Sequence, residues 1–431
     1  MKERIKHLAT NLTLMAVSLV FAVGMAEIGL RVFAEPPFER HHQQLFVEYD
    51  PLLGWRKIPG KTATHVTTEY EVTESFNSRG IRGPEYSYEK DVREFRILVL
   101  GDSFAEGYTV EFTETAPQVL KNSLQALGNR DYSVINAGTG GYSTDQEYLF
   151  FESEGYKYNP DLTILMYYAN DITGNVRNRH YRGYKPKYNL ESGELKLTNV
   201  PVPEPEIQQA DKQKLQKNLF HRTRIWLNEN TRLYPLAKKA ITDNYDLYAL
   251  AIKLGLADSP GDGQESIPVP EELRVWARTY DTQTQQAWQT TEALLVKVRD
   301  AVTRSQSRLM VLYVPSSAAV YDQQWQATKR KFRMSDDEWS IHQVANELES
   351  VCRRNNIDFV DPTAQLAFEA RRLEEQGTLL YFPRDRHWTA EGHEVVADVM
   401  LEYICKNLAH CGPHPGHVAN HISVKDSPPQ L

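Results

Sequence analysis

Apolar residues run along this chain in three rhythms, each predicting a different kind of element. The first is an unbroken run. From Leu8 to Ala26 no Asp, Glu, Lys or Arg interrupts "LATNLTLMAVSLVFAVGMA", and "EIGLRVF" carries the pattern on past Glu27. That length crosses a bilayer as one helix. Lys2, Arg4 and Lys6 mark its cytoplasmic flank, which places everything after Phe33 outside. A cleaved signal peptide ending at "VFA" before Glu35 is the competing reading, although the run is long for one. Either way Glu27 belongs near an interface or a polar surface. The second rhythm fills residues 34–95 with short extended pieces, "LFVEYD", "LLGWRK", "THVTTEYEV" and "ESFNSRGIRG", punctuated by Pro, Gly and Asn. They predict a small β-rich segment that is too short to hold a core alone, and so packs on the main domain or lifts it off the membrane.

The third rhythm begins at Arg96, where "RILVL", "APQVLKNSLQAL", "YSVINAG", "TDQEYLFFESEGYKY" and "DLTILMYYAND" alternate strand and helix. This βαβαβ series with short connections predicts a parallel sheet built by right-handed crossovers. Ile97 to Leu100 read as a strand covered on both faces. From Thr173 to Pro270 the rhythm is lost, in an insertion that reads as a lid, a substrate-facing subdomain or a solvent-exposed decoration, with "DSPGDGQES" as a loop. An amphipathic helix is then predicted from Glu271 to Val302, with Trp276, Trp288, Leu294, Leu295 and Val298 among its apolar positions. It feeds a fourth strand, "RLMVLYVP". Ile357, Phe359 and Val360 form a fifth, and a helix starting near Thr389 or Ala390 closes the domain. The chain thus divides into a cytoplasmic tip and anchor (1–33), the β-rich segment (34–95), a main domain (96–408) with its insertion at about 173–270, and a tail (409–431).

Composition narrows the class. Of 431 residues, 41% are hydrophobic and 25% charged, which suits a folded core. The net charge of −8, with no basic stripe interleaved with aromatics, argues against nucleic acid as a partner. There are three cysteines, Cys352, Cys405 and Cys411, so at most one disulfide forms within the chain. His410, His414, His417 and His421 lie among Pro and Gly in the tail, without the rigid spacing a zinc site needs.

The chemistry gathers at strand ends. "RILVLGDSFAEGY" runs a buried strand straight into Gly101, Asp102 and Ser103, and ligands in open α/β sheets bind outside such carboxyl ends. An ordinary turn with Asp102 or Ser103 capping the next helix is the plain alternative. The second strand ends in a loop with Asn136, Gly138, Gly140 and Gly141, and the third in Asn170 and Asp171. One sheet rim therefore carries a serine, a glycine loop and an asparagine. A serine needs a base, and the base a third group to fix its tautomer. His387 and Asp385, two apart in an extended loop, can fill those roles, although either also reads as a packing residue or as a loop acid paired with Arg384 or Arg386. The backbone N–H groups of Ser103 and Gly138 and the Asn170 amide would then serve as oxyanion donors.

Taken in order, "GDSFAEG", "INAGTGGYSTDQE", "YYANDI" and "DRHW" resemble the four marker blocks of the SGNH (GDSL-type) esterases and acyltransferases, over most of the chain from Arg96 to about Leu408. The resemblance implies an α/β fold, a three-layer α/β/α sandwich with a mainly parallel sheet. It implies Ser103 as nucleophile, Asp385 and His387 as its partners, and Ser103, Gly138 and Asn170 as the oxyanion hole, with no cofactor or metal. One departure stands out. Asp385 and His387 are separated by one residue where the usual block has two, a form similar to the SGNH-like domains of bacterial alginate and other exopolysaccharide O-acetyltransferases, as is "LYVPSSAAVY".

The expected function is that of a serine esterase on an O-acyl, acetyl-class ester of an extracytoplasmic carbohydrate, held at the inner or cytoplasmic membrane by lipid contact through the N-terminal helix. An O-acetyltransferase, with its acyl group handed over by a multispanning membrane acyltransferase, is the nearest alternative. An inactive glycan-binding scaffold, with Tyr181, Tyr184 and Tyr188 stacking sugars, is the third.

Overall fold

Continuous apolar runs become buried central strands. In the computed structural model, which describes residues 2–34, 46–128, 130–180, 183–205, 219–254, 256–257 and 269–408, five strands build the main sheet. They are Glu94–Gly101 (β1), Asp131–Asn136 (β2), Leu162–Tyr168 (β3), Arg308–Val314 (β4) and Asp358–Val360 (β5), paired in the order β5-β4-β3-β1-β2. Every neighbouring pair is parallel, with Val99 of β1 opposite Asn136 on one side and Ile164 on the other.

The helices that flank or follow these strands include Ser103–Glu106 (α1), Ala116–Ala126 (α2), Thr144–Ser153 (α3), Asn170–Gly174 (α4), Thr282–Arg304 (α5), Gln343–Arg354 (α6), Thr363–Glu374 (α7) and Ala390–Asn407 (α8). Alternation along the strands sorts them into two layers. Ile97, Val99, Ile164 and Leu312 share a core with α2, α7 and α8. Leu98, Leu100, Leu165 and Val311 share the other with α3, α5 and α6. The result is the three-layer α/β/α sandwich. Because the chain steps from β1 outward to β2 and then returns to the other side of β1 as β3, a crevice opens between the carboxyl ends of β1 and β3.

The long helix expected from Glu271 is shorter than its apolar pattern. Glu271–Trp276 forms a separate 3-10 turn, and the Trp276 carbonyl accepts the Ser340 N–H at 2.9 Å. The helix proper starts at Thr282 because the Asp281 carboxylate accepts the Thr284 N–H at 2.7 Å and caps it there. Cys352 is free and buried in α6, where burial pushes its thiol up to about 12, while Cys405 on α8 is disulfide-bonded.

The segment ahead of the sheet packs directly on the main domain. Its hairpins, Val47–Asp50 with Gly54–Lys57 and Thr62–Val66 with Glu71–Ser75, add Leu53, Trp55 and Ile81 to the core of α3 and α5. A buried ion pair, Lys57 with Glu106, tightens the joint, and within the segment Arg82 is paired with Glu74. Arg82 also donates to the carbonyls of Glu106, Gly107 and Val110 at 2.7 Å each, so one guanidinium fixes the whole turn that follows α1.

At the N-terminus Lys2–Phe33 is a single helix, and its stretch Thr10–Phe33 is long and apolar enough to cross a membrane, with a mean hydropathy of 1.9. The insertion contains the hairpin Lys187–Glu191 with Glu194–Thr198 and the helices Leu219–Asn230, Leu233–Asp243 and Tyr245–Lys253. Tyr188 is buried with its ring 6.0 Å from that of Tyr148, which makes it a core residue and removes it from any sugar-stacking surface. Tyr181 and the four tail histidines lie outside the described residues.

Candidate active site

Ser103 opens α1 at the carboxyl end of β1. Asp102 is the N-cap of that turn, its Oδ1 accepting the Phe104 N–H at 2.9 Å, so the capping role falls to the acid and leaves the serine hydroxyl for other work. The turn closes at Gly107 (φ +68°), a left-handed position where a side chain would be strained and a Cβ would sit 2.7 Å from Thr115 Cγ2.

Opposite Ser103, the loop between α7 and α8 delivers the other two residues. Ser103 Oγ lies 2.7 Å from His387 Nε2, and His387 Nδ1 lies 2.5 Å from Asp385 Oδ1. A carboxylate only accepts, so Nδ1 carries the proton and Nε2 faces the serine as an acceptor. Asp385 is 1% exposed. Its oxygens are held by two phenols. Tyr108 donates to Oδ1 and Oδ2 at 2.8 and 3.0 Å, and Tyr70 donates to Oδ2 at 2.9 Å. Glu69 accepts the backbone N–H groups of Arg384 and Asp385, both at 2.8 Å, and so pins the loop from outside. The Phe104 ring lies 4.4 Å from the imidazole and walls its other side.

Asn170, at the end of β3, donates from Nδ2 to Asp102 Oδ2 at 3.1 Å, which leaves a second N–H on that amide. The Gly138 N–H donates to Asn136 Oδ1 at 3.0 Å, while Asn136 Nδ2 holds the Ala105 carbonyl at 2.7 Å. A Cβ on Gly138 would collide with the backbone of Ala105 and Glu106, so the glycine is required by close approach to α1. Glu106 reinforces that approach by accepting the Gly140 N–H at 2.6 Å. All five residues singled out in the sequence thus border the crevice between β1 and β3 or the loop that faces it.

Three residues around them were not singled out: Tyr70, Tyr108 and Glu69, which belong to neither strand end. Asp102 and Asp171, named at the strand ends, prove to be part of a set of buried acids with Asp145 and Glu147, each at most 1% exposed. Asp145 is paired with buried Lys185 and Asp171 accepts the Thr144 hydroxyl at 3.0 Å, whereas neither oxygen of Glu147 has a partner. Burial first, then repulsion from Asp171, Asp102 and Asp145, raises the Glu147 carboxyl well above its ordinary range. The "TDQE" run offered no periodic signal for this, because four polar residues in a row read as a solvated helix start.

The arrangement suits covalent acyl chemistry: a hydroxyl beside an acceptor imidazole, oriented by a buried carboxylate, next to a side-chain amide and the first turn of a helix. Comparison with known proteins finds a family match over part of the chain. Residues 274–420 match the family of the SGNH hydrolase-like domain of the acetyltransferase AlgX, a stretch that includes Asp385 and His387. No curated protein sequence matches the chain. Similar solved structures include the acetyl xylan esterase AlAXEase, at 13% identity over 72% of this chain and 100% of that one (TM-score 0.36). A lipase/acylhydrolase from Enterococcus faecalis aligns at 10% identity over 72% and 95% (TM-score 0.34), and TesA at 11% over 72% and 97% (TM-score 0.34). Residues 274–420 are thus similar to an SGNH hydrolase-like domain, over the part of the chain that holds Asp385 and His387.

Proposed function

We propose that this protein is a serine esterase that removes an O-acyl group, acetyl in class, from a carbohydrate outside the cytoplasm. The observation that carries the reading is the continuous chain from Ser103 Oγ to His387 Nε2 (2.7 Å) and from His387 Nδ1 to Asp385 (2.5 Å). Ser103 Oγ gives its proton to Nε2 and attacks the ester carbonyl. The oxyanion is met by the Ser103 N–H, the free N–H of Asn170 and the Gly138 amide, once the last leaves Asn136. The intermediate collapses, the alcohol departs with the proton from His387, and an acyl-Ser103 remains. Water, deprotonated by the same imidazole, returns the serine and releases the acid. In this reading Thr10–Phe33, long and apolar enough to cross a membrane, does so with the lysine and arginine flank inside and holds the site on the outer face.

A second reading is favoured by the match of residues 274–420 to an acetyltransferase domain. In it a sugar hydroxyl replaces water in the second half-reaction, and a multispanning membrane acyltransferase supplies the acyl group. Both share the acyl-enzyme, which is therefore the thing to test. Full-length protein given p-nitrophenyl acetate should release the phenolate and show an acetyl mass increment on Ser103. Ser103→Ala should do neither, with turnover down roughly a thousandfold or more. Free acetate in the presence of candidate polysaccharides supports the esterase, and acetylated glycan the transferase. A folded protein that shows neither release nor mark overturns covalent catalysis and leaves a glycan-binding scaffold.

A further inference from the structure

The reading that Thr10–Phe33 spans the membrane leaves the helical insertion unexplained, and the structure couples the two. Glu27 lies inside the apolar span, and its carboxylate accepts the backbone N–H groups of Arg232 (2.9 and 3.0 Å) and Leu233 (2.9 Å) as well as Arg31 Nε (2.8 Å). Leu233 begins the helix Leu233–Asp243, so a carboxylate from the anchor caps it. The exchange is reciprocal. Arg232 Nη1 donates to the carbonyls of Leu30 (2.9 Å) and Ala34 (2.8 Å), capping the end of the anchor in turn. The insertion therefore starts level with the last turns of the span, at headgroup depth.

What it presents there is apolar. Leu247, Leu250 and Leu254 follow the i, i+3, i+7 spacing of one helical stripe, and all three are between 49% and 61% exposed. Trp226, Leu236 and Leu256 are more than half exposed beside them. Charge points the same way. Residues 219–256 hold six lysines and arginines against three acids, in a chain whose net charge is −8. The insertion is also tied to the main domain, Arg333 to Asp246 at 2.7 Å and Lys331 to Asp243 at 2.6 Å.

We propose that the helices of residues 219–256 dock on the outer surface of the lipid bilayer as an interfacial element, a second membrane contact that fixes the catalytic domain beside its anchor. The exposed leucines enter the boundary between headgroups and acyl chains, Trp226 sits at the interface, and the basic excess meets anionic headgroups.

The test uses full-length protein reconstituted in vesicles of phosphatidylethanolamine and phosphatidylglycerol that carry a phospholipid with a diazirine high on its acyl chain. Irradiation followed by peptide mapping should find lipid adducts in both Thr10–Phe33 and residues 219–256. The triple variant Leu247→Asp, Leu250→Asp, Leu254→Asp should keep the anchor adducts and the wild-type melting temperature but lose those on 219–256 by about tenfold. Adducts confined to Thr10–Phe33 overturn the docking while the anchor stands, and assign the apolar stripe to a protein partner absent from pure lipid. Unchanged adducts on 219–256 in the triple variant also overturn it. Adducts on neither segment remove the anchor reading as well.

Discussion

Asp385 works, in the proposed mechanism, only if it stays ionised and oriented inside a buried loop, and the two tyrosines over it supply that. A hydrogen bond to a charged group contributes roughly 1.5–3 kcal/mol. Tyr108→Phe, which also touches His387, should therefore lower kcat/KM by about tenfold or more, and Tyr70→Phe by somewhat less, with KM little changed. Steady-state kinetics on the same activated ester checks this, and wild-type kcat in both variants would reduce the phenols to packing. Glu147 makes a prediction of opposite character. A carboxyl whose pKa is higher folded than unfolded gives its full stability below the ordinary value of 4.5 and loses it as pH climbs toward the folded value. Glu147→Gln removes that loss. Its melting temperature should exceed that of the wild type by on the order of a few degrees at pH 8, with the gain fading toward pH 4, and thermal melts across that range decide it. Ser103, His387 and Asp385 were legible because each sits in a short motif, Ser103 at a strand end and the other two in one loop. Tyr70 was not, since its partner lies 315 residues away and nothing local marks a phenol that will bond a distant carboxylate.

Among the elements, those with one dominant signal were read well and those with two were not. β1, β3 and β4 announce themselves as apolar runs because both faces of each are covered. The Glu271 region carries a helical apolar pattern together with a strong capping acid at Asp281, and the cap decided where the helix starts. The helices of the insertion show no core rhythm because large apolar residues such as Trp226, Leu236, Leu247, Leu250 and Leu254 turn outward instead of into a core. The glycine loop after β2 adds a test at this scale. Gly138→Ala must push α1 away from the loop, an overpacking that costs about 1–3 kcal/mol. It should lower the melting temperature, and because α1 carries Ser103 it should depress kcat further than the lost stability explains. Equal activity per folded molecule would show that α1 tolerates the shift.

For the whole molecule, the order of the sheet put the crevice where the sequence expected it, while the joints between segments appeared only in three dimensions. The ion pair Lys57–Glu106 and the Arg82 guanidinium on the carbonyls of Glu106, Gly107 and Val110 link residues whose partners no periodicity predicts. Those joints bear on modularity. The portion that resembles an SGNH domain begins at the first strand of the sheet, yet Tyr70 and Glu69, which hold the acid loop, and Lys57 and Arg82, which hold the turn after the nucleophile, all precede it. The inheritable unit is therefore larger than the recognisable one. A graft or chimera cut at the recognised boundary would transplant every signature residue and leave behind the clamps that aim them, whereas one cut ahead of the first hairpin would carry a complete machine.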